Sequence, residues 1–118
     1  MDPLDEESPP VWDEDAALAI VGGDRTLALN LLQGLCATLP QELELLHEFQ
    51  ASADLAGTAE RAHHISGGAA YCGVLALRSR LRLLESRARA GDMNGTRTAL
   101  SAVEAEVDRL LTLASDLG

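Results

Sequence analysis

Proline and aromatic residues are scarce in this sequence. No proline follows Pro40, and the only aromatic residues are Trp12, Phe49 and Tyr71. The missing prolines leave the rest of the chain free to form helices. Leucine and alanine dominate the 47% of residues that are apolar, and both are strong helix formers. The 118 residues therefore predict one all-helical domain with a single modest core.

Basic residues are also few. The formal net charge of −10 argues against a general nucleic-acid binder, because such a protein needs a basic face to displace counterions from phosphates. The charge is uneven: residues 1–15 contain seven acids and no base, whereas seven of the nine arginines fall between Arg61 and Arg97. Such a patch is more often ordinary surface than a binding site, although it can help to steer a charged partner.

The sequence lacks a membrane-spanning run, a secretory signal and a paired-cysteine metal motif. No stretch reaches the roughly 18 consecutive apolar residues that a membrane helix needs, and the start is acidic. Cys36 and Cys72 lie among apolar neighbours, as small buried hydrophobes do. We therefore expect a cytoplasmic protein with no membrane partner. The initiating Met1 and the acidic start favour a stand-alone chain.

Turn residues divide the chain into segments. Residues 1–11 are acidic and proline-marked, and we interpret them as a flexible leader before a domain that spans residues 12–118. Asp24 and Asp54 are good N-caps, since their side chains can accept from the free amides of a first helical turn. The predicted helices cover residues 13–21, 25–50, 55–71, 74–90 and 94–117.

Apolar residues recur at spacings of three and four within each long segment, which is typical of one buried helix face. The longest stripe comprises Leu29, Leu32, Leu35, Leu39, Leu43, Leu46 and Phe49. Because Pro40 interrupts it, we expect either a kink or two abutting helices there. Four long helices joined by short turns predict an antiparallel up-down four-helix bundle, with the short N-terminal helix as an addition anchored by Trp12.

Residues 61–73 depart from the ordinary helical pattern. They contain the pair His63 and His64, followed by Gly67-Gly68. A glycine inside a helix costs about 1 kcal/mol relative to alanine, so two in a row require a reason, and one physical reason is that something comes very close to this helix. With the apolar stripe facing the core, His63 lies roughly 100° from its centre and His64 roughly 160°, and both reach solvent. His63 shares its strip of surface with small residues, Ala56, Gly67 and Ala70.

Several interpretations of this strip compete. Both histidines can be merely solvated, with the glycines permitting close helix packing. A metal site is disfavoured, because adjacent helical residues do not share a face. A Ser-His-Asp hydrolase needs a pocket and an oxyanion hole that a small bundle does not offer. No glycine-rich phosphate loop is present. An exposed imidazole can also carry a phosphoryl group, with a partner supplying metal and positioning.

One family matches these residues. The pattern Ala62-His63-x-Ile65-x-Gly67, followed by Ala69 and Gly73, resembles the signature of histidine phosphotransfer (HPt) domains. These are four-helix bundles that pass phosphoryl groups between receiver aspartates in phosphorelays. The likeness extends over roughly residues 13–115 and includes Leu39-Pro40, Leu81, Leu84 and Glu85. Tyr71-Cys72-Gly73-Val74 is most similar to the HPt domains of GacS/BarA-type hybrid sensor kinases.

The resemblance implies roles for individual residues. His63 corresponds to the phosphorylated histidine, Gly67 to the glycine that leaves room for the receiver, and His64 to the variable position after the phosphorylated one. Many family members have a lysine where this chain has Ser66, and that lysine helps to hold the phosphoryl group. GacS/BarA-like members also deviate at this position. The expected docking surface comprises Ala56, Glu60, His64, Gly67 and Ala70 around His63, with parts of the kinked helix beside them. Two roles stay open for Glu60: a group that orients the imidazole, or a solvated surface carboxylate.

The sequence thus predicts a monomeric phosphorelay carrier without an ATP site or kinase activity. It would accept a phosphoryl group on His63 from a receiver domain, which would bind Mg²⁺, and pass it to another receiver of a response regulator or hybrid sensor kinase. The carrier itself would need no cofactor. Two alternatives stay open: a receiver-binding module that transfers nothing or serves as a phosphate sink, and an HPt domain cut from a hybrid or chemotaxis-type kinase.

Overall fold

The described part of the chain, residues 9–117 of a computed structural model, is all-helical. It contains a short helix followed by four long ones. The helices are α1 (Glu14–Ile20), α2 (Arg25–Ala51), α3 (Leu55–Ala70), α4 (Leu75–Arg89) and α5 (Met93–Leu117). Turns of three, four and three residues join the four long helices. Because such short turns reverse the chain, the long helices form the predicted antiparallel up-down bundle.

Aspartate caps mark where the helices begin. The carboxylates of Asp13, Asp24, Asp54 and Asp92 each accept a hydrogen bond from the backbone N–H three residues later, at 2.8 to 3.1 Å. Each bond satisfies an amide that has no partner within the helix, which stabilises the helix by about 1 kcal/mol. The N-caps predicted at Asp24 and Asp54 are confirmed.

The core lies along the bundle axis. Helix α3 packs against α2 and α4, and α5 closes the bundle by packing against α4 and α2. The predicted stripes supply the buried side chains. The largest of these are Leu32, Leu39, Leu46, Leu77, Leu81, Leu84, Val103, Val107 and Leu110. Among the described helices, none combines the length and the apolar character that crossing a membrane requires.

Pro40 lies inside a single continuous helix. The alternative of two abutting helices is therefore wrong, since α2 runs from Arg25 to Ala51. Pro40 is exposed, while its neighbour Leu39 is buried in the core. The proline removes one helical hydrogen bond on the solvent side, and the packing of the opposite face holds the helix together across it.

The segment before α1 is attached to the turn between α3 and α4. The indole N–H of Trp12 donates to the Cys72 carbonyl at 2.9 Å, which confirms Trp12 as an anchor. The amide of Asp13 donates to the Gly73 carbonyl at 2.8 Å, and the Pro10 carbonyl accepts from Ala76 at 3.1 Å. Residues 1–8 of the predicted flexible leader, residues 1–11, lie outside the described residues. The leader's last part, around Pro10, is bound to the bundle.

Gly73 allows this attachment, and its replacement by alanine should be costly. Gly73 has φ +72°, and a Cβ built there would lie 2.7 Å from the Asp13 carbonyl oxygen. We expect Gly73→Ala to lower the free energy of unfolding by about 2–3 kcal/mol, from left-handed strain plus displacement of the N-terminal segment. Thermal unfolding followed by circular dichroism measures this.

Gly91→Ala is the matched control. Gly91 has φ +73°, but nothing lies within 4 Å of the position that a Cβ would take there. This variant should lose only the strain component, about 1 kcal/mol. Equal destabilisation of the two variants would contradict the close approach at Gly73.

Candidate functional site

The two histidines lie on the outer side of α3. Ala62, Ile65 and Ala69 are buried against the core, as the apolar stripe predicts. The intervening His63 and His64 are exposed. The side chain of His63 is 72% accessible, so a large partner can reach its ring without any rearrangement of the domain.

His63 is held by a carboxylate from the next helix. Its Nδ1 lies 3.2 Å from Oε1 of Glu85 on α4. The other carboxylate oxygen of Glu85 accepts from Nε of Arg89 at 2.8 Å, so both oxygens are engaged. Glu85 is only 18% exposed, whereas both of its partners are mostly exposed. A largely buried carboxylate therefore fixes one edge of an exposed imidazole.

The protonation of Glu85 settles which ring nitrogen carries the hydrogen. Burial raises the pKa of Glu85, but hydrogen bonds from Arg89 and His63 outweigh burial and place this pKa below its ordinary value. Glu85 is consequently ionised at neutral pH and can only accept. His63 must then donate from Nδ1, and in the neutral ring the lone pair is left on Nε2, the nitrogen that Glu85 does not contact.

Two clefts meet at His63. The first, of about 680 Å³, opens toward the beginning of α3 and is lined by Phe49, Asp54, Ala56, Gly57, Glu60, Arg61, His63 and His64. The second, of about 360 Å³, opens toward the end of α3 and is lined by His63, Ser66, Gly67, Ala70, Arg78, Arg82 and Glu85. His63 belongs to both clefts, so the imidazole stands on the ridge between them.

Gly67 and Gly68 are not required by packing within the domain. A Cβ at either position would meet no atom within 4 Å. Close helix packing therefore does not explain these glycines. Gly67 follows His63 by one helical turn on the same face. Because Gly67 has no side chain, the helix surface beside the imidazole is flat.

Comparison with protein families gives a match over most of the chain. Residues 30–113 fit the model of the Hpt domain. The chain belongs to the Hpt domain family. Hpt domains are phosphotransfer modules that carry a phosphoryl group on a histidine in phosphorelays, so the fold and the family predicted from the sequence are confirmed.

Two curated proteins are similar to this Hpt domain. It is 33% identical over 78 residues to the sensor protein GacS of Pseudomonas syringae pv. syringae, covering 66% of this chain and 9% of that protein. It is 30% identical over 100 residues to the sensor histidine kinase GacS of Pseudomonas protegens, covering 85% of this chain and 11% of that protein. The chain thus spans about a tenth of the length of these relatives.

A solved structure shares the fold. The crystal structure of the HPT domain from an Hpt sensor hybrid histidine kinase of Shewanella superposes with a TM-score of 0.78 and covers 91% of this chain and 92% of that one. The sequence identity is 19%, so this likeness shows the fold alone.

The structure brings the predicted surface residues of the Hpt domain together around His63. Ala56, Glu60 and His64 line the first cleft, and Gly67 and Ala70 line the second. Of the two roles open for Glu60, orientation of the imidazole falls to Glu85 instead, which contacts Nδ1 of His63. The sequence carries a signal for Glu85: it lies one turn after buried Leu81 on α4, at the edge of the core face.

The two cysteines do not contribute to this site. Burial raises the pKa of both thiols, and for Cys72 the neighbouring Cys36 raises it further. Cys72 is buried and Cys36 is half-buried, and both are free, as expected for small hydrophobes. Within residues 9–117, no group of three or more His, Cys, Asp or Glu side chains is arranged to hold a metal ion.

Proposed function

We propose that this Hpt domain accepts a phosphoryl group on Nε2 of His63 from the phosphoaspartate of a receiver domain and returns it to another receiver. The observation that carries the proposal is the hydrogen bond between Nδ1 and Glu85, since it directs the ring's lone pair to the accessible nitrogen. The partners are receiver domains of response regulators or of a hybrid sensor kinase. They dock on the surface formed by Ala56, Glu60, His64, Gly67 and Ala70.

The transfer step balances without a proton donor. The Nε2 lone pair attacks phosphorus, the N–P bond forms, and the bond between phosphorus and the aspartate oxygen breaks. Its electron pair leaves with the aspartate carboxylate. The Nδ1 hydrogen stays in place, and the positive charge that develops on the ring is offset by the Glu85 carboxylate at 3.2 Å. Transfer onward to a second receiver is the same step in reverse.

The partner supplies the remaining chemistry. Mg²⁺ bound by the receiver offsets charge on the phosphoryl oxygens, so the Hpt domain needs no cofactor of its own. We infer that it acts as a monomer and as an intermediate rather than a kinase. We place the exchange in the cytoplasm, where the ATP that charges receivers through their kinases is available.

A label-transfer experiment tests the proposal. The chain is mixed with a receiver whose aspartate carries a radioactive phosphoryl group. We expect the chain to acquire label that is stable to alkali and lost in acid, as a phosphoramidate is. Mixing with labelled ATP alone should leave the chain unlabelled.

Glu85→Gln tests the role of the carboxylate. A glutamine can still accept from Nδ1 but has no charge to stabilise the developing imidazolium. We expect transfer to slow by about tenfold or more, with ¹⁵N chemical shifts of His63 showing a larger population of the other tautomer. Rapid mixing with a phosphorylated receiver measures the rate.

Glu60→Gln is the matched control for Glu85→Gln. Glu60 lies one turn before His63 and lines the first cleft, but it makes no hydrogen bond to the ring. The tautomer of His63 should be unchanged in the Glu60→Gln variant. If Glu60→Gln altered the tautomer and Glu85→Gln did not, the assignment of the orienting carboxylate would have to be reversed.

A further inference from the structure

The second cleft lacks a cation from the helix that carries His63. Ser66, Gly67 and Ala70 of α3 line it, and none of them is charged. Ser66 follows His63 by three residues and is only 7% exposed. A long basic side chain at this position, one turn from the imidazole, could reach the ring. Serine is short and neutral and cannot do so.

Helix α4 supplies two cations to the same cleft. Arg78 and Arg82 line it together with Glu85. These three residues are spaced by four and three positions, so they occupy one face of α4. Since α3 and α4 run antiparallel and Glu85 meets His63, a step of three residues back to Arg82 corresponds to about 4.5 Å along the bundle, the same rise that separates His63 from Ser66. Arg82 therefore lies level with Ser66.

Neither arginine is neutralised by the part of the chain that the structure describes. Arg25, Arg61, Arg89 and Arg109 form ion pairs with carboxylates. Within residues 9–117, Arg78 and Arg82 form none, and the buried Nε of Arg78 has no hydrogen-bond partner. Glu85, the carboxylate that lines the same cleft, pairs with His63 and Arg89 instead.

Two guanidinium groups four residues apart, with no carboxylate partner among residues 9–117, repel each other, and a dianion between them would relieve this repulsion. We propose that Arg82, supported by Arg78, binds the phosphoryl oxygens on His63 and so replaces the cation that Ser66 does not provide. This inference rests on the proposed phosphotransfer at His63. A guanidinium suits the task, because its planar fork of N–H donors matches two oxygens of one phosphoryl group.

Arg82→Gln is the first variant to test, since Arg82 is exposed and its loss leaves the core intact. We expect about tenfold slower phosphorylation by a labelled receiver and by the small donor phosphoramidate, and faster hydrolysis of the phosphohistidine. A ³¹P titration should show a raised pKa for the phosphoryl group, because its dianion loses a cation. Arg82→Lys should restore part of each effect.

Arg80→Gln is the matched control. It removes the same charge from the same helix, but Arg80 does not line the cleft. It should leave the phosphoramidate rate and the ³¹P titration at wild-type values. The double variant Ser66→Lys with Arg82→Gln should recover phosphorylation, because it returns a cation to the level of the imidazole from α3.

The possible outcomes separate the two proposals. Wild-type behaviour of both Arg82→Gln and the double variant Arg78→Gln with Arg82→Gln would overturn the role of the arginines while leaving phosphotransfer intact. The role of the arginines would also be overturned if the variants were slow with the receiver as donor but normal with phosphoramidate. That result would mean that the arginines attract the receiver and do not bind the phosphoryl group. Absence of label in the wild-type chain with either donor would remove the proposed function itself.

Discussion

His63→Gln is expected to abolish acceptance of a phosphoryl group from a phosphorylated receiver. Glutamine has a similar reach but no nucleophilic ring nitrogen, so labelling should fall to background. The native side chain is 72% exposed and its hydrogen-bond partner is Glu85, so the free energy of unfolding should change by no more than about 1 kcal/mol. Acid-labile radiolabel and thermal unfolding measure the two effects on the same preparation.

His64→Ala is the control for this result. His64 is also exposed, but it lines only the first cleft, and Glu85 hydrogen-bonds to His63 rather than to His64. It should retain acceptance, with at most a change in affinity for the receiver. Label persisting in His63→Gln, or lost only in His64→Ala, would move the phosphorylated site. A wild-type chain that binds the receiver yet never gains or returns label would favour the non-transferring module or the phosphate sink.

Gly67→Leu is expected to change stability and transfer in opposite directions. Leucine favours the helix over glycine by somewhat under 1 kcal/mol, and no atom within 4 Å obstructs a Cβ at this position. The variant should therefore unfold at an equal or slightly higher temperature. The same side chain would stand beside the imidazole and hold a receiver away, and transfer should fall by about 100-fold or more. Melting curves and rapid-mixing transfer rates test both parts.

Gly68→Leu provides the matched comparison for Gly67→Leu. Gly68 is equally open, but it lies on a different face from His63 and outside both clefts that include the imidazole. The Gly68→Leu variant should gain similar helix stability, and its rate of phosphoryl transfer should be nearly that of the wild type. Equal transfer in Gly67→Leu would refute the clearance role, and equal inhibition by the two variants would show that leucine acts through the helix rather than on the partner.

The helices were predictable because their causes are local. Spacings of three and four residues identified the buried face of each helix, and aspartates marked two of the starts. The same periodicity separated exposed His63 from buried Ala62 and Ile65. These properties depend on residues within one or two turns, so a single sequence contains them.

The groups that act on His63 from α4 were less accessible to prediction. The apolar spacing of α4 places Glu85 at the edge of its buried face. Whether Glu85 contacts the imidazole depends on the register between α3 and α4, which the spacing does not give. The position of Arg82 in the second cleft depends on the same register. Its place on α4 alone does not distinguish it from a solvated arginine. The alternative of two abutting helices at Pro40 was wrong for a related reason: packing of the buried face keeps α2 continuous, and local preference does not include packing.

Trp12 has a practical consequence for observing the domain at work. It is the only tryptophan, and its indole bonds to the carbonyl of Cys72, in the turn where the histidine-bearing helix ends. When tryptophan alone is excited, emission therefore originates at one contact between segments 60 residues apart, whereas ellipticity averages over every helix. Intrinsic fluorescence is thus a built-in, site-specific reporter of how the N-terminal segment is seated, and it needs no attached dye.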